Sequence, residues 1–207
     1  MKASVWLVAV MLAVALAACG PQGKVTVGKT HGGARTYLSE WQDIEPSKSL
    51  IDVAVLPKAI VNKVEQRIRD NRILHQRVYF DGNGHLFVEH MLGPNALFFL
   101  RVTTDTNNFS IVADGFKDWI GSKTDAAETN KKRIYSRGAR GGWLTTVPVS
   151  SYRDCILARV GFLSRPEKNR TADEHYDTIV WYRDCTGKRT KEQVMDFLRG
   201  LKIVPSA

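Results

Sequence analysis

The sequence lacks the short signatures that announce chemistry. It has no GxSxG nucleophile elbow, no HExxH zinc helix, no P-loop and no GxGxxG dinucleotide turn. Those absences remove the contiguous forms of hydrolase, metalloprotease and nucleotide-binding sites. They leave room for an active site assembled from scattered residues, because five histidines and 21 carboxylates are spread along the chain. Long apolar runs are also missing. The longest, Val5 to Ala18, is fourteen residues, and crossing a bilayer takes about 20. Acidic residues are outnumbered by 30 lysines and arginines, giving a net charge of +9. Low hydrophobicity is not among the shortages. With 43% hydrophobic and 25% charged residues, the composition is that of a globular domain rather than a disordered chain.

What is present begins at the amino terminus. Lys2 is the only charge before residue 24, and the apolar run follows it directly. A positive start, a short apolar segment and small residues after it make an export signal. Leu16-Ala17-Ala18-Cys19 then resembles the lipobox of bacterial lipoproteins. The resemblance covers residues 1 to 20 and no more. It implies cleavage before Cys19, diacylation of the Cys19 thiol and acylation of the new amino terminus, with palmitate-type chains that hold the protein on a membrane. Gly20 stands where an aspartate would signal inner-membrane retention, so the resemblance points to the outer membrane, facing the periplasm. Residues 1–18 are then a signal peptide. Residues 19–36, with five glycines and one proline, read as a flexible tether. Residues 37–207 are long enough for a single domain with its own core.

With Cys19 given to the lipid, Cys155 and Cys185 form an even pair in an oxidising compartment. A disulfide is the default expectation and a free reactive thiol the alternative. The two cysteines end the repeated tetrapeptides Tyr152-Arg153-Asp154-Cys155 and Tyr182-Arg183-Asp184-Cys185. Pairing 155 with 185 across an antiparallel hairpin would align Val160 with Val180 and Ala158 with Tyr182, and a bridge would pin its base. Asn108-Phe109-Ser110 and Asn169-Arg170-Thr171 match glycosylation sequons, which are incidental in a bacterial chain.

The apolar spacing predicts the elements. Leu50 to Leu56 reads as a short buried strand. Pro57 followed by Ile60, Val61, Val64 and Ile68 predicts a helix over 57–70, supported by Glu65 and Arg69 at i,i+4. Arg72–Phe80 and His85–Leu92 flank the turn Asp81-Gly82-Asn83-Gly84 and predict a hairpin whose paired residues sum to 165. Strands are expected over 96–104, 109–113, 133–137 and 143–149, with Gly138–Gly142 as a flexible loop. A short helix after Asp114 and an exposed loop over 121–132 lie between them. Thr190-Lys191-Glu192-Gln193 is a capping box, and Val194, Phe197, Leu198 and Leu201 continue it as a helix over 190–201. The fold class is therefore α+β: a mainly antiparallel sheet with two principal helices, about 57–70 and 190–201, packed on one face.

Two constellations could carry function. In the hairpin register above, His75 faces His90 at a separation that suits a shared metal ion, although two ligands are not a site. Lys131, Lys132, Arg133, Arg137 and Arg140 surround the glycine-rich loop, beside Tyr135 and Trp143. Cations interleaved with aromatics can grip phosphates and stack on rings. No cofactor is implied. The leading expectation is a lipid-anchored periplasmic domain, noncatalytic, that binds an envelope protein or an anionic envelope polymer during envelope assembly or maintenance. An envelope hydrolase with dispersed catalytic residues is the second reading, and a structural lipoprotein of a secretion or conjugation apparatus the third. Nucleic acid fits poorly with a domain hung from a membrane.

Overall fold

The computed structural model describes residues 25–29, 35–93, 98–99, 130–134, 140–150, 153–164 and 175–204. The chain divides into two units, Met1–Glu40 and Trp41–Ala207. In the first, β1 (Val25–Lys29) pairs antiparallel with β2 (Arg35–Ser39). Most of this hairpin falls in the stretch read as a tether, where the Val-Thr-Val alternation suits a strand.

The second unit contains β3 (Gln42–Ile44), β4 (Val61–Arg69), β5 (Ile73–Phe80), β6 (Gly84–Met91), β7 (Phe98–Phe99), β8 (Lys132–Arg133), β9 (Arg140–Ser150), β10 (Arg153–Phe162), β11 (His175–Tyr176), β12 (Thr178–Asp184) and α1 (Lys191–Arg199). Its main sheet runs β4-β5-β6-β12-β10-β9-β8, with β3 also on β4. The strand pairs described within it are antiparallel. β7 and β11 form a separate small pair. One face of the sheet carries Val64, Val78, Phe80, Leu86, Val88, Val180, Tyr182, Ala158, Val160 and Leu144, all buried. α1 closes that core with Val194, Phe197 and Leu198; the Phe197 ring lies 6.0 Å from Tyr182, which stacks in turn on Phe80 at 5.9 Å. The helix starts as its sequence demands. Thr190 accepts from the Gln193 N–H, and the Gln193 side chain reaches back to the Thr190 N–H.

The expectation of two principal helices is wrong. Residues 61–69 are strand, and α1 is the one α-helix among the described residues. The error has a geometric cause. Val64 and Ile68 are four apart, and an even spacing keeps residues on one face of a strand as well as of a helix. Val61 joins them because the register of β4 on β5 shifts between Val61 and Lys63. Asn62 is the extra residue, so Val61 opposite Phe80 and Val64 opposite Val78 share a face. A bulged strand of β-branched residues thus imitates the i, i+3, i+7 pattern. The expected strand at 50–56 is also corrected. Leu50, Ile51, Val53 and Leu56 are buried, but the segment runs through a 3-10 turn at Val53–Val55 and makes a single bridge, Ile51 to Ile203. Gln76, buried in the core face, fastens this segment by accepting from the Leu50 N–H at 2.7 Å and donating to the Lys48 carbonyl at 3.3 Å.

The β5–β6 hairpin forms one residue out of the expected register. Its pairs sum to 164, with Val78 opposite Leu86 and His75 opposite Glu89. Three residues, 81–83, make the turn, and Asp81 and Gly82 both take positive φ. The turn is set by tertiary partners of Asp81 rather than by its own sequence. The Asp81 N–H donates to the Ile60 carbonyl, its carboxylate accepts from the Ile60 N–H, and Arg189 and Lys188 bind the same carboxylate. A one-residue slip exchanges the two faces of β6, so Leu86 and Val88 enter the core where Phe87 and Met91 were expected.

The other hairpin follows its prediction. β10 and β12 align Val160 with Val180 and Ala158 with Tyr182, and Cys155 and Cys185 form a disulfide with Cα atoms 4.2 Å apart. Of the loop expected at 138–142, Arg140, Gly141 and Gly142 belong to β9. The ring of Tyr176 occupies the space that a Cβ on Gly141 or on its partner Gly161 would need, so these glycines admit a side chain rather than loosen a loop.

Candidate anion-binding surface

The odd-numbered residues of β5, β6, β9, β10 and β12 face away from the core. Across the sheet they form a row of direct cross-strand partners: Glu65, Arg77, Phe87, Trp181, Arg159, Trp143 and Arg133. Cations and aromatic rings dominate it, with Glu65 at its β4 end and Asp43 of β3 paired beyond it. The middle is covered: Arg159 is 4% exposed and Trp181 6%, with the Arg159 guanidinium 4.4 Å from the centre of the Trp181 ring. The two ends are reached by solvent.

At the β8 end stand residues of the predicted basic cluster. Lys132 and Arg133 are exposed, and Arg133 lies opposite half-buried Trp143. The Lys131 ammonium sits 5.0 Å from the centre of the same indole. Arg140 opens β9, and Arg137 lies outside the described residues. Lys132 also approaches α1: Glu192 is held below the usual carboxylate range by its own backbone N–H, by Thr190 and, more weakly, by the Lys132 charge.

The β4 end was not foreseen. Trp41 lies over it, with its ring centre 4.1 Å from the Arg77 guanidinium carbon and 4.3 Å from that of Arg67, and with its edge toward Phe87. Arg67 donates from Nε to His75 Nδ1 at 3.3 Å. That bond requires a bare Nδ1, so the ring proton sits on Nε2. Nε2 is 3.2 Å from Glu89 Oε1, close but poorly aligned for a hydrogen bond. Burial opposes the charge on Glu89, yet His75 and a bond from Trp181 outweigh it and hold the carboxyl below its ordinary range. Next to this group, His85 stacks on Tyr79 at 5.1 Å. Burial, then the charges of Arg183 and Arg77, push its pKa down to about 4, so it is neutral at neutral pH. In the sequence, Arg67 falls within the helix expected over 57–70 and Arg77 within the expected hairpin. Only the pairing of β4 with β5 and the return of the chain at Trp41 bring them together.

The slipped register separates the proposed metal pair. His75 faces Glu89 on the outer face, while His90 lies on the core side opposite Leu74, with Nδ1 2.9 Å from Thr178 Oγ1. Among the described residues no three histidines, cysteines or carboxylates converge as a metal site would need. Cys19 lies outside the described residues. An open groove of about 380 Å³ on the core side is walled by Ile51, Val53, Val61, Val64, Val78 and Val204, with Asp52 at its rim.

A second charged group contains no missing partner. Arg189, with a fully buried side chain, donates to Asp184 Oδ2 at 2.8 Å, to the Asp81 carboxylate and, through Nε, to the Pro57 carbonyl at 2.8 Å. Lys188 adds a bond to Asp81 at 3.0 Å. Tyr182 donates to Asp184 Oδ2 at 3.0 Å, and the Thr186 N–H and hydroxyl take Oδ1. Burial opposes ionisation of both aspartates, but these donors outweigh it and keep both carboxyls below the ordinary range. Comparisons of the chain with family models, with curated proteins and with solved structures found no match.

Proposed function

We propose that this chain is a lipid-anchored domain of the bacterial envelope that binds an acidic envelope polymer. The observation that supports the reading is the solvent-reached end of the outer row. There, Arg133 stands exposed beside Trp143 with the Lys131 ammonium over the indole, and Lys132, opposite Leu144, is exposed on the other side of the same edge strand. The Arg133 side chain is open to solvent, where its charge can meet a partner. The strongly paired acids and bases elsewhere, Arg189 with Asp81 and Asp184, serve the fold. The lipobox-like Cys19 supplies the anchor, and the excess of basic over acidic residues favours a polyanion as partner.

Binding to vesicles containing lipopolysaccharide, measured over a series of salt concentrations, tests this. Each cation near an anionic surface contributes about 1 kcal/mol. Replacing Lys132 and Arg133 together by Gln should therefore weaken binding roughly thirtyfold at low salt and flatten its salt dependence. Binding that ignores both the salt and the double substitution would remove the electrostatic reading.

A further inference from the structure

The β4 end of the row has features that the β8 end lacks. Arg77 is half-buried, and among the described residues its guanidinium makes no ion pair or hydrogen bond; its contact is the Trp41 ring. The carboxylate opposite it, Glu65, is taken by Lys63 at 2.7 Å and by the Tyr79 hydroxyl at 3.2 Å. Arg67 spends Nε on His75 and keeps its two terminal nitrogens. Asp43, opposite Glu65 on β3, is bridged by Lys63 at 3.0 Å, and Glu89 is engaged by His75 and Trp181. Two guanidiniums are thus gathered on one indole with every nearby carboxylate occupied. The strain shows in Arg67, whose pKa is drawn below the ordinary arginine value by burial first, then by the charges of Arg77 and Arg69.

Both guanidiniums are half-buried and their unspent nitrogens stay open to solvent, so two like charges stand side by side with donors ready for an incoming anion. A guanidinium fork matches the oxygens of a phosphate or carboxylate two at a time. A dianion with three free oxygens can serve both forks and balance both charges, which a single carboxylate cannot. We propose that Arg67 and Arg77, braced by Trp41, bind a phosphate group, with His75 as the positioning residue that fixes the Arg67 fork. This deepens the polymer-binding reading by naming the group recognised and a separate site that recognises it. The phosphate is carried by a lipid or glycan headgroup, or is free in solution.

The test uses the purified full-length chain in detergent. Inorganic phosphate is titrated by calorimetry, and in a second arm binding is measured to neutral vesicles with and without phosphatidic acid. The Arg77→Gln variant should lose at least tenfold in affinity. Arg77→Lys, which restores charge but not the fork, should recover only part of it, and Lys202→Gln, at an exposed cation outside both groups, should leave phosphate affinity unchanged. His75→Phe should weaken phosphate less than Arg67→Gln does, since it removes orientation rather than donors. Far-ultraviolet circular dichroism on each variant confirms the fold. Binding in both arms identifies a free phosphate as sufficient. Binding only with phosphatidic acid, still lost in Arg77→Gln, identifies the headgroup. Failure of the wild-type chain to bind in either arm, or equal binding by Arg77→Gln, overturns the site. Loss of polymer binding in the Lys132/Arg133 variant alone would then leave the broader function standing.

Discussion

Two groups of charge, both built on this sheet, differ in how they are completed. Around Arg189 the acids and bases match: two aspartates, one arginine, one lysine, a tyrosine and a threonine satisfy one another. Around Trp41 the acids and bases are mismatched in placement: Lys63 takes both Asp43 and Glu65, while among the described residues Arg67 and Arg77 have no carboxylate of their own. The first group ties together the 56–60 segment, the β5–β6 turn, the end of β12 and the start of α1. The second ties down little beyond Trp41. A charge cluster that closes on itself stabilises the chain, and one that stays open is available to something else.

Removing Arg189 should produce the largest effect on that contrast. Arg189→Ala strands two buried carboxylates, and breaking such a group costs about 3–5 kcal/mol. Urea unfolding should show the midpoint fall accordingly; a loss under about 1 kcal/mol would mean the cluster behaves like a surface pair. The adjacent disulfide comes next. Its cysteines are 30 residues apart, and a loop of that size gives about 3.7 kcal/mol in the chain-entropy model. Cys155→Ser should lower stability by an amount of that order, measured in parallel with thiol labelling that leaves Cys155 and Cys185 unmodified in the wild-type chain.

Acid separates the two groups by pH. His85 has a folded pKa of about 4 against an ordinary 6.5, so the unfolded chain binds the extra proton between those values. The contribution of neutral His85 is complete above pH 6.5 and is lost as pH falls toward 4, at up to about 1.4 kcal/mol per pH unit. The aspartates beside Arg189 are held below their usual range of about 3.8, so their stabilising contribution is lost only at lower pH. Stability measured from pH 7 to pH 4 should therefore decline, and His85→Gln should flatten the decline. An unchanged slope in that variant would place the acid sensitivity elsewhere. The smallest stability effect is expected at Arg77. A half-exposed cation–π contact is worth about 0.5–1 kcal/mol, so Arg77→Gln should hardly move the unfolding midpoint while lowering phosphate affinity.

Local rules were enough where the pattern and its partner lie close in sequence or share a covalent constraint. The capping box gave α1, and the two Tyr-Arg-Asp-Cys ends gave both the bridge and the β10–β12 register. They failed for β4, where a bulge at Asn62 lets a strand wear helical spacing, and at the β5–β6 turn, where Arg189, more than a hundred residues away, holds Asp81. Half of the candidate surface was legible for the same reason: Lys131, Lys132, Arg133 and Trp143 lie within thirteen residues of one another. Trp41, Arg67, Arg77, Arg159 and Trp181 carry no shared local signal.

By itself, then, the sequence determined the charge excess, the lipobox-like start, the cysteine pairing and the C-terminal helix, because each depends on composition, contiguous residues or a short-range cap. Tertiary structure decided which side of β6 enters the core and which cations share an indole. Both depend on strand register, and register here is set by contacts between residues far apart in the chain.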